Sequence, residues 1–274
     1  MELDFIKLSP AKNTTVLITN YVPPSKYCKV ASQVLSYTYL CAEQLGFITE
    51  PQHKSGSIIR LEMSGGEFCG NAVLALAAYV RYAGILEEDN FTIESSGVNS
   101  LLRCQIINKR NNCYRVKASM PLDFNYRLYK FDVLKGVLIE FKGITHFLFE
   151  NRGQLEGNKI KKLIKTLSCE LKVAAMGFIP YKMEKDSFQI EPCIYVSETD
   201  SLIFENSCGS GTLALGLFLA MRKKESVVYN IKQPGGIIKV QIKGRYERGD
   251  FKVQDAFIEN EVQITCSGKV LVDI

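Results

Sequence analysis

Cys69-Gly-Asn-Ala-Val-Leu-Ala-Leu-Ala-Ala-Tyr79 and Cys208-Gly-Ser-Gly-Thr-Leu-Ala-Leu-Gly-Leu-Phe218 are two versions of one pattern, 139 residues apart in a chain of 274. Five positions are identical, the Cys-Gly pair and the Leu-Ala-Leu run, and each block follows a polar or glycine-rich stretch, Ser64-Gly-Gly-Glu67 and Glu205-Asn-Ser207. A repeat at half the chain length implies two similar domains. Ala72 to Val80 and Leu213 to Met221 are apolar on every face, so each is read as a helix that other structure must cover all round.

Outward from these helices the chain reads as short strands rich in β-branched and aromatic residues, separated by turn signals. In the first half they fall at Leu3 to Leu8, Thr15 to Thr19, Gly46 to Thr49, Ser57 to Met63, Phe91 to Ser95, Leu101 to Ile107 and Cys113 to Ala118. Ser25 to Tyr39 is predicted helical, with Ser25 as N-cap after Pro23-Pro24. The second half repeats the order. Strands are predicted at Val137 to Phe141, Thr145 to Glu150, Ala174 to Met183 and Ile190 to Val196, with a helix near Leu155 to Leu167. Further strands follow at Val227 to Lys232, Gly236 to Lys243 and Phe251 to Glu259, with Gln233-Pro-Gly-Gly236 as a turn. The expected class is α+β, with two pseudo-symmetric domains, each a β-barrel-like sheet wrapped around a central helix. The expected division is 1–122, 123–260, and a final strand, 261–274, packing back on the N-terminal domain.

Bulk properties narrow the function classes. At 46% hydrophobic and 23% charged the chain is ordinary globular material, and its net charge of +5 forms no long basic run, so nucleic acid is not an expected partner. The longest apolar runs are nine residues, about half a membrane span, and the N-terminal Met-Glu-Leu-Asp-Phe-Ile-Lys has no leader pattern, so a cytoplasmic protein is expected. Nine cysteines include no C-x-x-C pair and do not cluster with His53 or His146, which argues against a disulfide framework or a metal site. Cys28, Cys41, Cys104, Cys113, Cys169, Cys193 and Cys266 read as ordinary free thiols. The two histidines read as structural or solvent-exposed, His146 in an apolar strand-like run and His53 in a polar loop.

Cys69 and Cys208 differ from the rest because each opens a helix. A helix N-terminus presents unsatisfied N–H groups and the positive end of the macrodipole, so it attracts a carboxylate and favours a thiolate. A lowered thiol pKa is expected there. Gly70 and Gly209 let a ligand approach the backbone, and Asn71 or Ser210 is placed to cap the helix or touch a carboxylate. Two domains facing across a cleft would set the sulfurs on opposite sides of a ligand. One thiolate then removes an α-proton, the other thiol delivers one to the opposite face, and the helix ends stabilise the carbanion without pyridoxal phosphate. No cofactor and no metal are expected.

With those residues in view, the chain resembles the diaminopimelate epimerase-like family over nearly its whole length. Glu67-Phe-Cys69-Gly-Asn-Ala72 is similar to the first cysteine motif of that family and Cys208-Gly-Ser-Gly211 to the second. The resemblance implies substrate-binding roles for Asn13 and Gln44. It also has gaps. Phe204-Glu-Asn-Ser-Cys208 is too short to carry the Glu-Arg-Gly segment that grips the distal centre of diaminopimelate, and Ile144-Thr-His146 keeps only the histidine of an Asn-Pro-His segment. A substrate with two amino-acid ends is therefore disfavoured. Relatives that isomerise or dehydrate other substrates commonly lack a cysteine, so both together argue for a racemase or epimerase.

The wording of Cys41-Ala-Glu-Gln-Leu-Gly-Phe47, Met63 to Asn71, Phe204 to Gly211 and Gln233-Pro-Gly-Gly236 is most similar to the histidine racemases that supply D-histidine for staphylopine-type metallophores. That likeness implies L-histidine to D-histidine racemisation. Glu43, beside Gln44, is a candidate acceptor for an imidazole N–H, and Glu205 is a second. The expected partner is a small amino acid, with a homodimer as the assembly. Diaminopimelate or another amino acid remains an alternative substrate. From another class, a non-catalytic amino-acid-binding or thiol redox protein would pair Cys69 with Cys208 reversibly, and reductant-dependent activity is expected if the empty site oxidises.

Overall fold

The computed structural model describes residues 1–52, 56–151, 153, 157–185, 187–198, 200–247 and 249–274; His53 and Leu155 lie outside them. The chain forms two compact units. The first comprises Met1–Pro121 together with Glu259–Ile274, and the second is Leu122–Ile258.

The first unit contains β1 (Glu2–Pro10), β2 (Thr15–Ile18), α1 (Tyr27–Val34), β3 (Gln44–Thr49), β4 (Arg60–Met63), α2 (Gly70–Tyr82), β5 (Asn90–Ser95), β6 (Leu102–Arg110) and β7 (Cys113–Ser119). The second contains β8 (Phe124–Phe131), β9 (Leu134–Phe141), β10 (Ile144–Glu150), α3 (Gly157–Leu171), β11 (Ala175–Glu184), β12 (Ser187–Ile190), β13 (Cys193–Val196), β14 (Ser201–Phe204), α4 (Gly209–Lys223), β15 (Val227–Gln233) and β16 (Gly236–Glu247). The last strand, β17 (Asp250–Leu271), begins in the second unit, and its residues from Glu259 onward belong to the first.

In the first unit each strand pairs with the next from β1 to β7. The β2–β3 and β4–β5 pairs are parallel and the other consecutive pairs antiparallel. β17 pairs with β7 and runs antiparallel to β1, from Glu2↔Leu271 to Pro10↔Val262, which closes the barrel. Closure leaves no strand edge in that ring. α2 fills the interior, packed on β1, β2, β3, β4, β6 and β7, with Ala72–Ala78 fully buried. This is the covering that its all-round apolar surface requires. α1 packs outside, placing Val30, Ala31 and Val34 against Val16, Val270 and Val272.

In the second unit β8, β9 and β10 form an antiparallel meander, and β10 pairs in parallel with β11. β11 divides its other edge between β13, along Ala175–Phe178, and β12, along Tyr181–Glu184. β14 extends from β13, while β15 pairs in parallel with β12 and antiparallel with β16. α4 packs on β9, β10, β15 and β16 and α3 on β11 and β13, where Ile160, Ile164 and Leu167 meet Phe147, Phe149 and Phe178.

Several local expectations change. The helix after Pro23-Pro24 is shorter than the predicted Ser25 to Tyr39. Pro24–Lys26 form one 3₁₀ turn, Tyr27–Val34 the α-helix, and Ser25 makes no cap bond, since the N-cap position is Lys26. The chain turns after Val34, where Leu40 N–H bonds to the Val34 carbonyl and Cys41 takes φ 45°. Ser36-Tyr37-Thr38-Tyr39 are weak helix formers with little apolar face to bury. The strand predicted over Ile190 to Val196 is two, because Pro192 cannot donate to a ladder. The last two predicted strands are one, and β8 and β14 come in addition.

Candidate active site

The two cysteines are N-caps. Cys69 precedes α2 with φ −130° and ψ 110°, and Cys208 precedes α4 with φ −126° and ψ 108°. The cap positions thus fall to the cysteines, while Asn71 and Ser210 sit inside the first turn. Cys69 is half-buried and Cys208 is 4% exposed.

In the first unit the segment leading to Cys69 is held by the end of β5. Ser96 Oγ accepts from the Met63 N–H at 2.9 Å and donates to the Glu67 carbonyl at 2.8 Å. Gly97 sits so close behind, at φ 76°, that a Cβ there would lie 2.3 Å from the Phe68 nitrogen, so no other residue fits. Gly70 and Asn71 are buried in the first turn of α2.

Asn13, Glu43 and Gln44 also come together. Asn13 follows β1 in a tight turn through Ala11 and Lys12, both at positive φ. Its Nδ2 donates to Glu43 Oε2 at 2.9 Å. The backbone N–H groups of Glu43 and Gln44 both bond to the Thr14 carbonyl, at 2.9 and 3.0 Å. The Glu43 carboxylate is therefore oriented by a buried amide rather than left to solvent.

In the second unit the contacts to Cys208 are specified atom by atom. Its Sγ accepts from the Gly211 N–H at 3.2 Å and lies 3.5 Å from Ser210 Oγ. Ser210 Oγ is 2.9 Å from Nε2 of His146, which is fully buried on β10. Nδ1 of the same ring has no partner among the described residues. An orphaned buried N–H is rarer than an orphaned acceptor, which puts the imidazole proton on Nε2. His146 then donates to Ser210 Oγ, and the Ser210 hydroxyl is turned toward the sulfur. Burial pushes the His146 pKa down to about 3, so the ring is neutral. Opposite it in the parallel β10–β11 pair is Gly177, where a Cβ would sit 1.9 Å from Nδ1.

The expected lowering of thiol pKa is reversed at Cys208. Its pKa is raised well above the ordinary value, first by burial and then by the Glu205 carboxylate, against lowering by the Ser210 and Gly211 hydrogen bonds. Desolvation outweighs the helix end because the sulfur lies beneath the surface beside an acid. Cys208 is thus a thiol at rest, with two donors, Gly211 N–H and Ser210 O–H, placed to receive a negative charge. Among the remaining cysteines, Cys104 and Cys193 are buried with pKa values pushed up to about 12. His146, Gly177, Thr212 and Gln233 belong to the surroundings of Cys208, and of these only His146 and the Gln233 turn stand out in the sequence motifs.

Among the described residues no group of His, Cys, Asp and Glu forms a metal-binding set, and no helix is long and apolar enough to cross a membrane.

The fold is one found among amino-acid racemases and epimerases. A probable proline racemase from Agrobacterium radiobacter matches with a TM-score of 0.73 at 14% identity, covering 99% of this chain and 93% of that one. A hydroxyproline epimerase from Agrobacterium vitis matches at 0.71 and 11% identity, covering 98% and 92%.

The family model described as the histidine racemase CntK N-terminal domain matches residues 2–271, and the chain belongs to this histidine racemase family. A histidine racemase of Fusobacterium nucleatum subsp. nucleatum is 33% identical over 277 residues, covering 98% of this chain and 97% of the relative. Another, from Staphylococcus aureus, is 28% identical over 283 residues, covering 99% and 98%. The protein is an amino-acid racemase.

Proposed function

We propose that the protein interconverts L- and D-histidine without a cofactor, using Cys69 and Cys208 as its acid–base pair. The observation that carries the mechanism is the repeated N-cap cysteine. Each unit starts its buried central helix with Cys-Gly, and each thiol stands where N–H groups can meet a carboxylate. Around Cys208 two of the first-turn N–H groups are already engaged. Cys208 N–H bonds to Gln233 and Gly211 N–H to the sulfur, which supports Gly209 and Ser210 as the substrate-binding residues of that turn. Gly70 and Asn71 take that part in α2.

In the reaction one sulfur, as thiolate, takes the α-proton, and the electron pair it leaves is held next to the carboxylate by the helix N–H groups. The other sulfur, as thiol, returns a proton to the opposite face, so the two sulfurs exchange protonation states in each turnover. Cys208, a thiol at rest, is the sulfur that returns a proton whenever Cys69 removes one. Ser210 O–H and Gly211 N–H then stabilise the Cys208 thiolate that forms. Glu43, oriented by Asn13, accepts the imidazole N–H, and Gln44 lies beside it. The names of the relatives support histidine as the substrate. Both thiols must stay reduced, which fits the cytoplasm.

The test is α-proton exchange in deuterated buffer with purified protein and a panel of L-amino acids. Histidine is expected to exchange and lose optical rotation fastest, and Cys69→Ser or Cys208→Ser to lose at least about 100-fold in turnover. Faster turnover of diaminopimelate, or wild-type rates in both variants, would overturn the proposal.

A further inference from the structure

The turn Gln233-Pro-Gly-Gly236 has no part in the chemistry above, yet it makes some of the closest polar contacts to Cys208. Gln233 is 8% exposed and uses both ends of its amide. Its Oε1 accepts from the Cys208 backbone N–H at 2.7 Å, and its Nε2 donates to Thr212 Oγ1 at 2.8 Å. Thr212 Oγ1, itself fully buried, donates to the Cys208 carbonyl at 2.7 Å. These three bonds close a ring that begins and ends on the two backbone polar atoms of one cysteine. Two residues further on, Gly235 N–H bonds to the Asn206 carbonyl at 2.7 Å, so the same turn also grips the approach to the cysteine.

A ring of this kind is needed because a thiol is a poor cap. Sulfur is a weak acceptor, and N-caps favour Ser, Thr, Asp and Asn for their stronger side-chain oxygen. Unaided, the Cys208–Gly211 bond leaves the cap free to fray, and the sulfur would shift with it. The first unit solves the same problem at the corresponding place: Ser96, just past the strand that follows α2, holds Met63 and Glu67 ahead of Cys69. Gln233 ends the strand that follows α4.

We propose that Gln233 is a positioning residue for the acid–base chemistry of Cys208, acting through Thr212 and the Cys208 peptide without touching the substrate. This rests on the reading of Cys208 as one of the two proton-transfer groups. The ring sets where the sulfur stands relative to the Gly211 N–H and the Ser210 hydroxyl. Loosening it slows the proton transfers that use Cys208 and leaves those of Cys69 in place.

That asymmetry gives the test. Gln233→Ala, Thr212→Val and Thr212→Ser are compared with wild type, using α-deuterated L- and D-histidine. Gln233→Ala is expected to lower kcat about 10- to 100-fold with KM within about threefold, and Thr212→Ser, which keeps the hydroxyl, to stay within about threefold of wild type. Thr212→Val opens the ring from its other side and should reproduce the loss; the double variant Gln233→Ala, Thr212→Val should be no worse than the poorer single one. Most diagnostic, the deuterium isotope effect should rise for the enantiomer whose proton Cys208 removes and fall for its mirror image. A purely structural loss moves both together and would overturn the inference, as would a Gln233→Ala kcat within threefold of wild type. Should Gln233→Ala fail to fold, Thr212→Val decides by the same isotope criterion. Cys208→Ser is run alongside: if it keeps wild-type exchange, the reading of Cys208 fails, whereas if it is inactive and the ring variants are not impaired, only the role of Gln233 fails.

Discussion

Gly177→Ala tests the buried support of Cys208 without altering any group in contact with the sulfur. The new Cβ would lie 1.9 Å from His146 Nδ1 and 2.6 Å from Cε1, whereas real Cβ contacts are essentially never under 3.0 Å. The ring must retreat by about 1.1 Å, since His146 is fully buried and Gly177 is its register partner on the adjacent strand. A displacement of that size, whether toward or away from Ser210, disturbs the 2.9 Å contact between Nε2 and Ser210 Oγ, and the Ser210 hydroxyl loses the geometry that turned it toward Cys208. Overpacking of this kind costs about 1–3 kcal/mol, which lowers the apparent Tm by roughly 3–10 °C. Losing a hydrogen bond to a charged sulfur costs about 1.5–3 kcal/mol in the step that forms it, or about 10- to 150-fold in kcat. Racemisation followed by circular dichroism, at a temperature where the variant is fully folded, separates the two effects. Wild-type kcat together with wild-type Tm would refute the reasoning, because the ring would then have room to move and Ser210 would not depend on it.

Three further outcomes are expected. The unfolded chain protonates His146 near pH 6.5 and the folded chain only near 3, so the unfolded state binds more protons between those values and stability falls as pH falls through that window. Denaturant titrations should show about 1.6 kcal/mol lost to this group from pH 6.5 to 5, absent in His146→Leu, and an equal slope in both proteins would contradict the buried neutral ring. Cys208 should alkylate slowly at neutral pH, with Glu205→Gln moving its rate profile to lower pH because the carboxylate raises the thiol pKa; peptide-resolved mass spectrometry reads this apart from the exposed cysteines. Glu43→Gln should lower kcat/KM for histidine about 10- to 100-fold and change it far less for an amino acid with an aliphatic side chain, whereas equal losses would remove Glu43 from side-chain recognition.

The two central helices were legible because Ala72 to Val80 and Leu213 to Met221 have no polar face, and only an enclosed position suits such a segment. β8 was not: Phe124-Asn-Tyr-Arg-Leu128 alternates apolar and polar residues, but Phe124–Phe131 leaves most of its side chains exposed on both faces, so it lacks the run of β-branched residues and the buried face that mark the other strands. Asn13 and Gln44 stand out only by resemblance, and nothing in the sequence sets Asn13 against Glu43; the hydrogen bond between Asn13 and Glu43 spans 30 residues and depends on two positive φ angles in the turn after β1. Cys208 stood out through the repeat, but its supports come from 25 residues downstream, in Gln233, and through Ser210 from 64 residues upstream of that serine, in His146. The direction of its pKa was missed for a related reason. A helix end can be inferred from local sequence, while the depth of burial and the approach of Glu205 are set by tertiary packing.

The closure of the first barrel by β17 has a consequence for synthesis of the chain. Residues 122–258 form a contiguous unit, but the strands from Met1 to Pro121 wait for the final strand, from Glu259 on, to complete their ring. At about 5–20 residues per second, ribosomal elongation from Pro121 to Leu271, where β17 ends, takes roughly 8–30 s. During that interval the N-terminal half has β1 and β7 unpaired along the edges that β17 will occupy. Folding therefore finishes in the reverse of the order of translation. The nascent N-terminal half is the part of this racemase with most need of a chaperone, and a stop codon that removes β17 would cost Cys69 its scaffold while leaving Cys208 with most of its own.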